Sequence, residues 1–222
     1  MFTTTRRILI LALLAAASPL AQPATAANDS SLDAAIRHLQ LEWERIKFDV
    51  PEGAKQTEEM NALGVEADAT AAQFPDKVEA QIWDGIITSE RAGLAGPFSA
   101  LGLAKRARDV LEKADKMDAA ALDAGAPTSL GVLYYRVPGF PIGFGDKDKA
   151  RQLLEQAVRT APNGLDAWYF YGDFLFSQNE LAKANAVFKH ALEIPPRPDR
   201  PLWDSNRRLV IQELLDKIHD KS

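Results

Sequence analysis

The sequence predicts an all-α protein built as a solenoid of stacked helix pairs. Three observations carry that prediction. A pattern of small and large residues returns after 34 positions: Ala150, Leu154, Ala157 and Pro162 reappear as Ala184, Phe188, Ala191 and Pro196. Apolar residues step at helical intervals along nearly the whole chain, as in Leu32, Ile36, Leu39, Trp43 and Ile46. A last amphipathic segment, with Ile211, Leu214, Leu215 and Ile218, suits a helix that covers the open apolar end of such a stack.

Each element follows from its own residues. Residues 1–26 read as a cleaved signal peptide. Arg6 and Arg7 form a positive start, Ile8 to Ala17 is an apolar run too short to span a bilayer, and Ala24-Thr25-Ala26 offers small residues for cleavage. The rival reading is an N-terminal membrane anchor. The Arg pair fits either the general or the twin-arginine export route. Residues 27–222 then form a single helical-repeat domain. Its first helix carries Leu32 to Ile46, with Asp29 or Ser30 as cap, and ends at Pro51-Glu52-Gly53. A second runs from Ala54 to Phe74, with Met60, Leu63, Ala67 and Ala71 on one side, until Pro75 stops it.

The next unit begins near Lys77, with Trp83, Ile86 and Ile87 on its apolar side and Ala107, Leu111 and Ala114 on its second helix. A third unit pairs Leu130-Gly131 and Tyr134 with Ala150, Leu154 and Ala157. The fourth, Asp166 to Ile194, is the cleanest, because Trp168, Gly172 and Leu175 precede Ala184, Phe188 and Ala191. These are the spacings of a tetratricopeptide repeat, a helix–turn–helix unit that cannot bury its apolar face alone. Small residues let two backbones approach and the large residue between them fills the gap. Gly172 gives up about 1 kcal/mol of helix propensity, which only close packing can recover.

Two turns inside the pairs are longer than the plain repeat allows. The interval from Gly172 to Ala184 is the ordinary one; that from Gly131 to Ala150 is seven residues longer, and that from Gly85 to Ala107 ten longer. The insertions are expected on one edge of the stack, side by side. Val137-Pro138-Gly139-Phe140-Pro141-Ile142-Gly143-Phe144-Gly145 is nearly all apolar, Pro or Gly, and the other insertion holds Leu94, Pro97, Phe98, Leu101 and Leu103. One reading makes them a cavity wall or docking edge. The other folds Phe140, Ile142 and Phe144 back to plug the groove.

The run from Leu130 to Asp146 (LGVLYYRVPGFPIGFGD), the segment Tyr169 to Leu175 and the tail Pro195-Pro196-Arg197-Pro198-Asp199-Arg200 resemble one bacterial family. That family is the T component associated with tripartite ATP-independent periplasmic (TRAP) transporters. The likeness covers about Phe74 to the C-terminus. It implies an all-helical periplasmic protein, trimerisation, an apolar cavity, and association with the transporter's solute-binding protein. The chain departs from the family in having no cysteine to carry a lipid.

Composition excludes other classes. A formal charge of −5 with no basic stripe argues against a nucleic-acid partner. Without cysteine there are no disulfides, no thiol nucleophile and no thiolate metal site. His38, His190 and His219 stand apart from any metal-ligand spacing, and no nucleophile elbow is present. Asp146 reads as a helix cap and Trp168 as core. The expectation is a non-catalytic, cofactor-free protein, exported and free in the periplasm, with no membrane span after cleavage. It binds a partner protein, a hydrophobic small molecule, or both. Its candidate binding residues are Phe98, Leu101, Tyr134, Tyr135, Phe140, Ile142, Phe144 and Phe170. The alternative is a general interaction scaffold without a ligand cavity.

Overall fold

The structure, a computed structural model, describes residues 24–221. The signal-peptide segment therefore lies almost wholly outside the described residues. Among these residues nine helices follow one another: α1 (Ala24–Phe48), α2 (Ala54–Gln73), α3 (Val78–Leu94), α4 (Pro97–Met117), α5 (Ala121–Arg136), α6 (Lys147–Thr160), α7 (Leu165–Ser177), α8 (Leu181–Glu193) and α9 (Pro201–His219). None is long and apolar enough to cross a membrane. The first eight form four antiparallel pairs and α9 packs on α8 as the expected end helix.

The repeat pattern maps onto one recurring contact. In α3/α4, α5/α6 and α7/α8 a glycine of the first helix faces a large, fully buried residue of the second: Gly85 faces Leu111, Gly131 faces Leu154, and Gly172 faces Phe188. Ala107, Ala114, Ala150, Ala157, Ala184 and Ala191 flank those large residues and are themselves fully buried. Between pairs, the first helices touch their successors: α1 meets α3, α3 meets α5, α5 meets α7, and α7 meets α9. The core is the continuous seam between these helices. A charged cluster interrupts it between α2, α3 and α4. Arg106 of α4 donates to both carboxylate oxygens of buried Asp84 on α3 (3.2 and 3.1 Å), to Asp68 on α2 (2.6 Å) and to Thr88 (2.5 Å). Burial pushes the Asp84 carboxyl above its ordinary value; Asp68 adds to the shift and Arg106 opposes it.

Three expectations change. Helix α1 is already helical at Ala24 rather than capped at Asp29 or Ser30, and Asp29 instead accepts from Lys77 Nζ (2.8 Å). The ten residues inserted between Gly85 and Ala107 do not form a loop. They lengthen α3 and α4 to 17 and 21 residues, against 13 each for α7 and α8, and leave Ala95-Gly96 as the turn. Pro97 explains it: its fixed φ suits the first position of a helix, where its missing N–H has no partner to lose. Trp168, expected in the core, is half-buried at an edge, where its Nε1 donates to Pro162 O (2.9 Å) and its ring meets His190.

The second insertion is a true loop. Residues 137–146 fold on themselves, with Gly145 N donating to Pro138 O (2.9 Å) and Gly143 N to Gly139 O (3.1 Å). Asp146 closes it as the expected cap, accepting from the amides of Asp148 and Lys149 (3.0 Å each).

The stack also curls until its ends meet. Helix α9 contacts α1, and the tail before it ties the two together. Arg200 Nε donates to buried Glu44 Oε1 of α1 (2.5 Å), Arg37 of α1 donates to Asp199 O (2.7 Å), and Arg197 reaches Asp123 at the start of α5 (2.7 Å). At that start Leu122, Asp123 and Ala124 adopt left-handed φ of 51°, 55° and 59° before the right-handed helix begins.

Candidate functional site

The curl leaves a cleft of about 530 Å³ on the concave side. Its walls come from the first helices of the pairs, from the start of α4 and from α9, the elements that the pairwise stacking turns inward. This volume falls in the range of small-molecule sites. One corner is aromatic: Trp43 of α1, Trp83 of α3 and Trp203 of α9, each at least 95% buried. Trp43 and Trp83 meet edge to face with centroids 6.0 Å apart. The guanidinium of Arg200 lies 5.7 Å from the Trp83 ring and 4.6 Å from the Trp203 ring, contacts of cation–π type.

The charged groups of the lining are Arg136, Arg197, Arg200 and Arg207 against Glu90, Asp123 and Asp166. Arg207 pairs with Asp166 (2.7 Å) and lies over the Tyr169 ring at 4.0 Å. Trp203 Nε1 donates to the other Asp166 oxygen (3.1 Å). Arg136 donates to Asp173 (2.9 Å) and to the Tyr135 hydroxyl (3.2 Å).

Of the residues singled out in the sequence, Leu101, Ile142 and Phe170 line this cleft. They come from α4, the 137–146 loop and α7, so residues from both insertions do share one wall. Tyr135 does not line it. Its hydroxyl donates to Asp173 (2.5 Å), its ring packs near Phe174, and burial pushes its phenol far above the ordinary value. Tyr134 is buried outside the cleft, donating to Glu112 (2.8 Å) and accepting from Lys149 (2.5 Å). Phe144 folds back edge-on against Tyr134, beneath the Arg108 guanidinium at 4.6 Å. The two readings of the loop thus divide it: Phe144 packs inward, while Phe140 and Ile142 stay exposed. Phe98, next to the lining residue Pro97, is fully exposed in the first turn of α4.

Sequence reasoning missed the tryptophan corner, Arg200 and Arg207. Trp43 and Trp83 occupy core-type positions of their helices, and nothing local distinguishes a ring facing a seam from one facing a cavity. The available signal was the tail resembling the family, Pro195 to Arg200, whose Arg197 and Arg200 both line the cleft.

A family model described as a tetratricopeptide repeat matches residues 142–205, which take in α6, the α7/α8 pair and the start of α9. Among solved structures, a thermophilic TPR protein of Thermus thermophilus superposes with a TM-score of 0.56 at 18% identity, covering 86% of this chain and 94% of that one. Yeast Tom70 gives a TM-score of 0.47 at 15% identity, over 86% of this chain and 34% of its own length. The chain is all-α and tetratricopeptide-like in fold.

Proposed function

We propose that the protein is a non-catalytic interaction scaffold of the tetratricopeptide type whose concave face receives a partner protein. The observation that carries this reading is the rim of the cleft. Phe140 and Ile142 of the loop and Phe98 of α4 are large apolar side chains held in solvent beside lining residues, and apolar groups gathered at a concave edge fit a docking surface. Photo-cross-linking tests it, with p-benzoylphenylalanine placed at Phe140 on the rim or at Val65, exposed on α2. Partner adducts at position 140 and none at 65 support the reading. Adducts at 65 alone, or at neither position, overturn it.

The cleft itself favours a second role, the holding of a small apolar molecule behind that rim. Its volume and its lining by Leu101, Val132, Ile142, Phe170 and the tryptophans support this role. The neutral dye N-phenyl-1-naphthylamine should bind with enhanced emission, and Ser129→Trp, which fills the cleft, should abolish the signal while circular dichroism stays unchanged. Equal binding by both proteins would remove the cleft from consideration.

The finer assignment belongs to the same proposal. The protein acts as a T-component-like member of a TRAP system, with a periplasmic solute-binding protein as its partner, working as a trimer and exported to the periplasm without a lipid anchor. The likeness of residues 130–146 and 195–200 supports the family, and Arg6-Arg7 with the apolar run to Ala17 supports export. Fractionation of the source cells, followed by native mass spectrometry of the periplasmic pool, tests location, oligomer and partner together.

A further inference from the structure

Backbone strain is concentrated in the left-handed turn at the start of α5. Leu122, Asp123 and Ala124 follow one another there with ψ of 50°, 48° and 39° beside their positive φ. Elsewhere among the described residues, the one non-glycine residue with a positive φ is Asn179. Asparagine visits this region readily; leucine and alanine do not, and each such residue costs the conformation about five- to thirtyfold in population. Strain of this kind persists only where the surroundings hold it.

Three contacts hold it here. Asp123 Oδ2 accepts from Arg197 Nη1 (2.7 Å). Ala124 is fully buried in a small cluster with Ala157, Val158, Ala161 and Ala167. Gly164 leaves the turn room, since a Cβ there would stand 3.3 Å from the Asp123 Cβ. Arg197 is itself fixed to α9, because its amide donates to Asp204 (3.1 Å). The link that leads in from α4 is otherwise exposed at Asp118, Ala120, Leu122 and Asp123.

Pro127 decides what the turn can relax to. Were residues 122–124 right-handed, α5 would run on through them, and the Pro127 ring would meet the Asp123 carbonyl four residues back. Extended backbone is the open alternative. An α-type turn rises about 1.5 Å per residue and extended chain about 3.3 Å, so three residues would lengthen the link by about 5 Å. Leu122 and Asp123 line the cleft, so that motion would widen it.

We propose that residues 118–124 are a strained flap on the edge of the cleft, latched shut by the Arg197–Asp123 ion pair. Release of the pair lets the left-handed turn extend and the cleft widen toward a docking partner, while the junction of Arg200 with Glu44 stays closed. The docking step rests on the reading of the concave face as a docking surface; the flap does not. The side chains of Arg197 and Asp123 are 41% and 55% exposed, so salt screens the latch.

The chain has no cysteine, so a single introduced thiol reports the motion. Ala124→Cys places one at the buried end of the flap, and Ala167→Cys places one in the same buried cluster but on α7. Their rates of modification by N-ethylmaleimide are followed by mass spectrometry at low and high salt. Ala124→Cys should react about tenfold or more faster than Ala167→Cys, as local opening requires. High salt should speed it a further two- to fivefold or so, the worth of an exposed ion pair. Arg197→Gln or Asp123→Asn should do the same at low salt and remove the salt effect. Leu122→Gly, which relieves the left-handed strain, should slow it about two- to fivefold. None of these changes should move Ala167→Cys. Equal rates at the two positions overturn the flap, an Arg197→Gln variant no faster than its parent overturns the latch, and faster reaction with Leu122→Gly overturns the strain. No partner is present in these measurements, so their failure leaves the docking surface standing, and absence of cross-links at position 140 leaves the flap standing. If a thiol variant does not fold, amide exchange of the unaltered protein decides: residues 119–124 should exchange faster than α7, and faster again in high salt, and exchange no faster than α7 overturns the proposal.

Discussion

Replacing Gly172 by alanine should destabilise the protein, although alanine is the better helix former. A Cβ at position 172 would lie 2.6 Å from Phe188 Cδ1 and 2.9 Å from Cζ, and closer still to Cε1. Carbon atoms pack comfortably at about 3.5–4.0 Å, so the ring must retreat by about 1 Å. Phe188 has nowhere to go, since it is fully buried with Tyr169 close by. Overpacking of this kind costs about 1–3 kcal/mol, and the gain in helix propensity returns about 1 kcal/mol. Because the ring has no room to retreat, the cost should fall in the upper half of that range, about 2–3 kcal/mol, which leaves a net loss of about 1–2 kcal/mol. For a chain of this size that lowers Tm by about 2–8 °C. Urea denaturation followed by circular dichroism measures it, and the control is the same substitution beside Phe188→Leu. The smaller side chain opens space, so Gly172→Ala should become nearly neutral there, with a coupling energy of about 1 kcal/mol or more. A single variant as stable as the parent, or additivity within about 0.5 kcal/mol, would refute the claim that the repeat glycine exists for close approach.

Gly102 supplies the opposite case: no atom lies within 4 Å of its would-be Cβ, so Gly102→Ala in α4 should stabilise the protein by about 0.5–1 kcal/mol in the same urea assay. Arg106→Gln should cost about 3 kcal/mol at neutral pH, because it strands the Asp84 carboxylate in the core. Burial already raises the Asp84 pKa, so the folded chain takes up that proton more readily than the unfolded one, and the deficit of the variant should shrink as the pH is lowered. The four tyrosines, Tyr134, Tyr135, Tyr169 and Tyr171, all have phenols raised above their ordinary value by burial. The neutral forms are favoured by folding, so their contribution is full below about pH 10 and is lost as the pH climbs toward the folded values. Absorbance at the phenolate band should therefore rise only above about pH 10, together with loss of helix; a normal titration in the folded protein would contradict the burial.

Local chemistry made the helices legible. Pro51, Pro75 and Pro162-Asn163-Gly164 mark real boundaries, and the Gly–large–Ala pattern names residues that touch. What stayed hidden depended on the path of the whole stack. The longer interval before Ala107 reads equally well as a loop or as two longer helices, and only the helical start at Pro97 decides it. Leu101, Ile142 and Phe170 were recognisable as apolar residues off the packing pattern. That they share a cavity with Trp43 and Trp203, about 160 positions apart in the chain, follows from the curl, which no local spacing encodes.

The junction of α9 with α1 changes how this stack should lose its structure. An open repeat array is quasi-one-dimensional: it can unravel from either end, one unit at a time, because each unit depends only on its neighbours. Here Glu44 near one end and Arg200 near the other are buried as a pair, so neither terminal unit can fray without exposing a charge of the opposite end. The terminal pairs should consequently exchange their amide hydrogens on the same timescale as the central ones. A string of quasi-independent units becomes a loop that opens all at once.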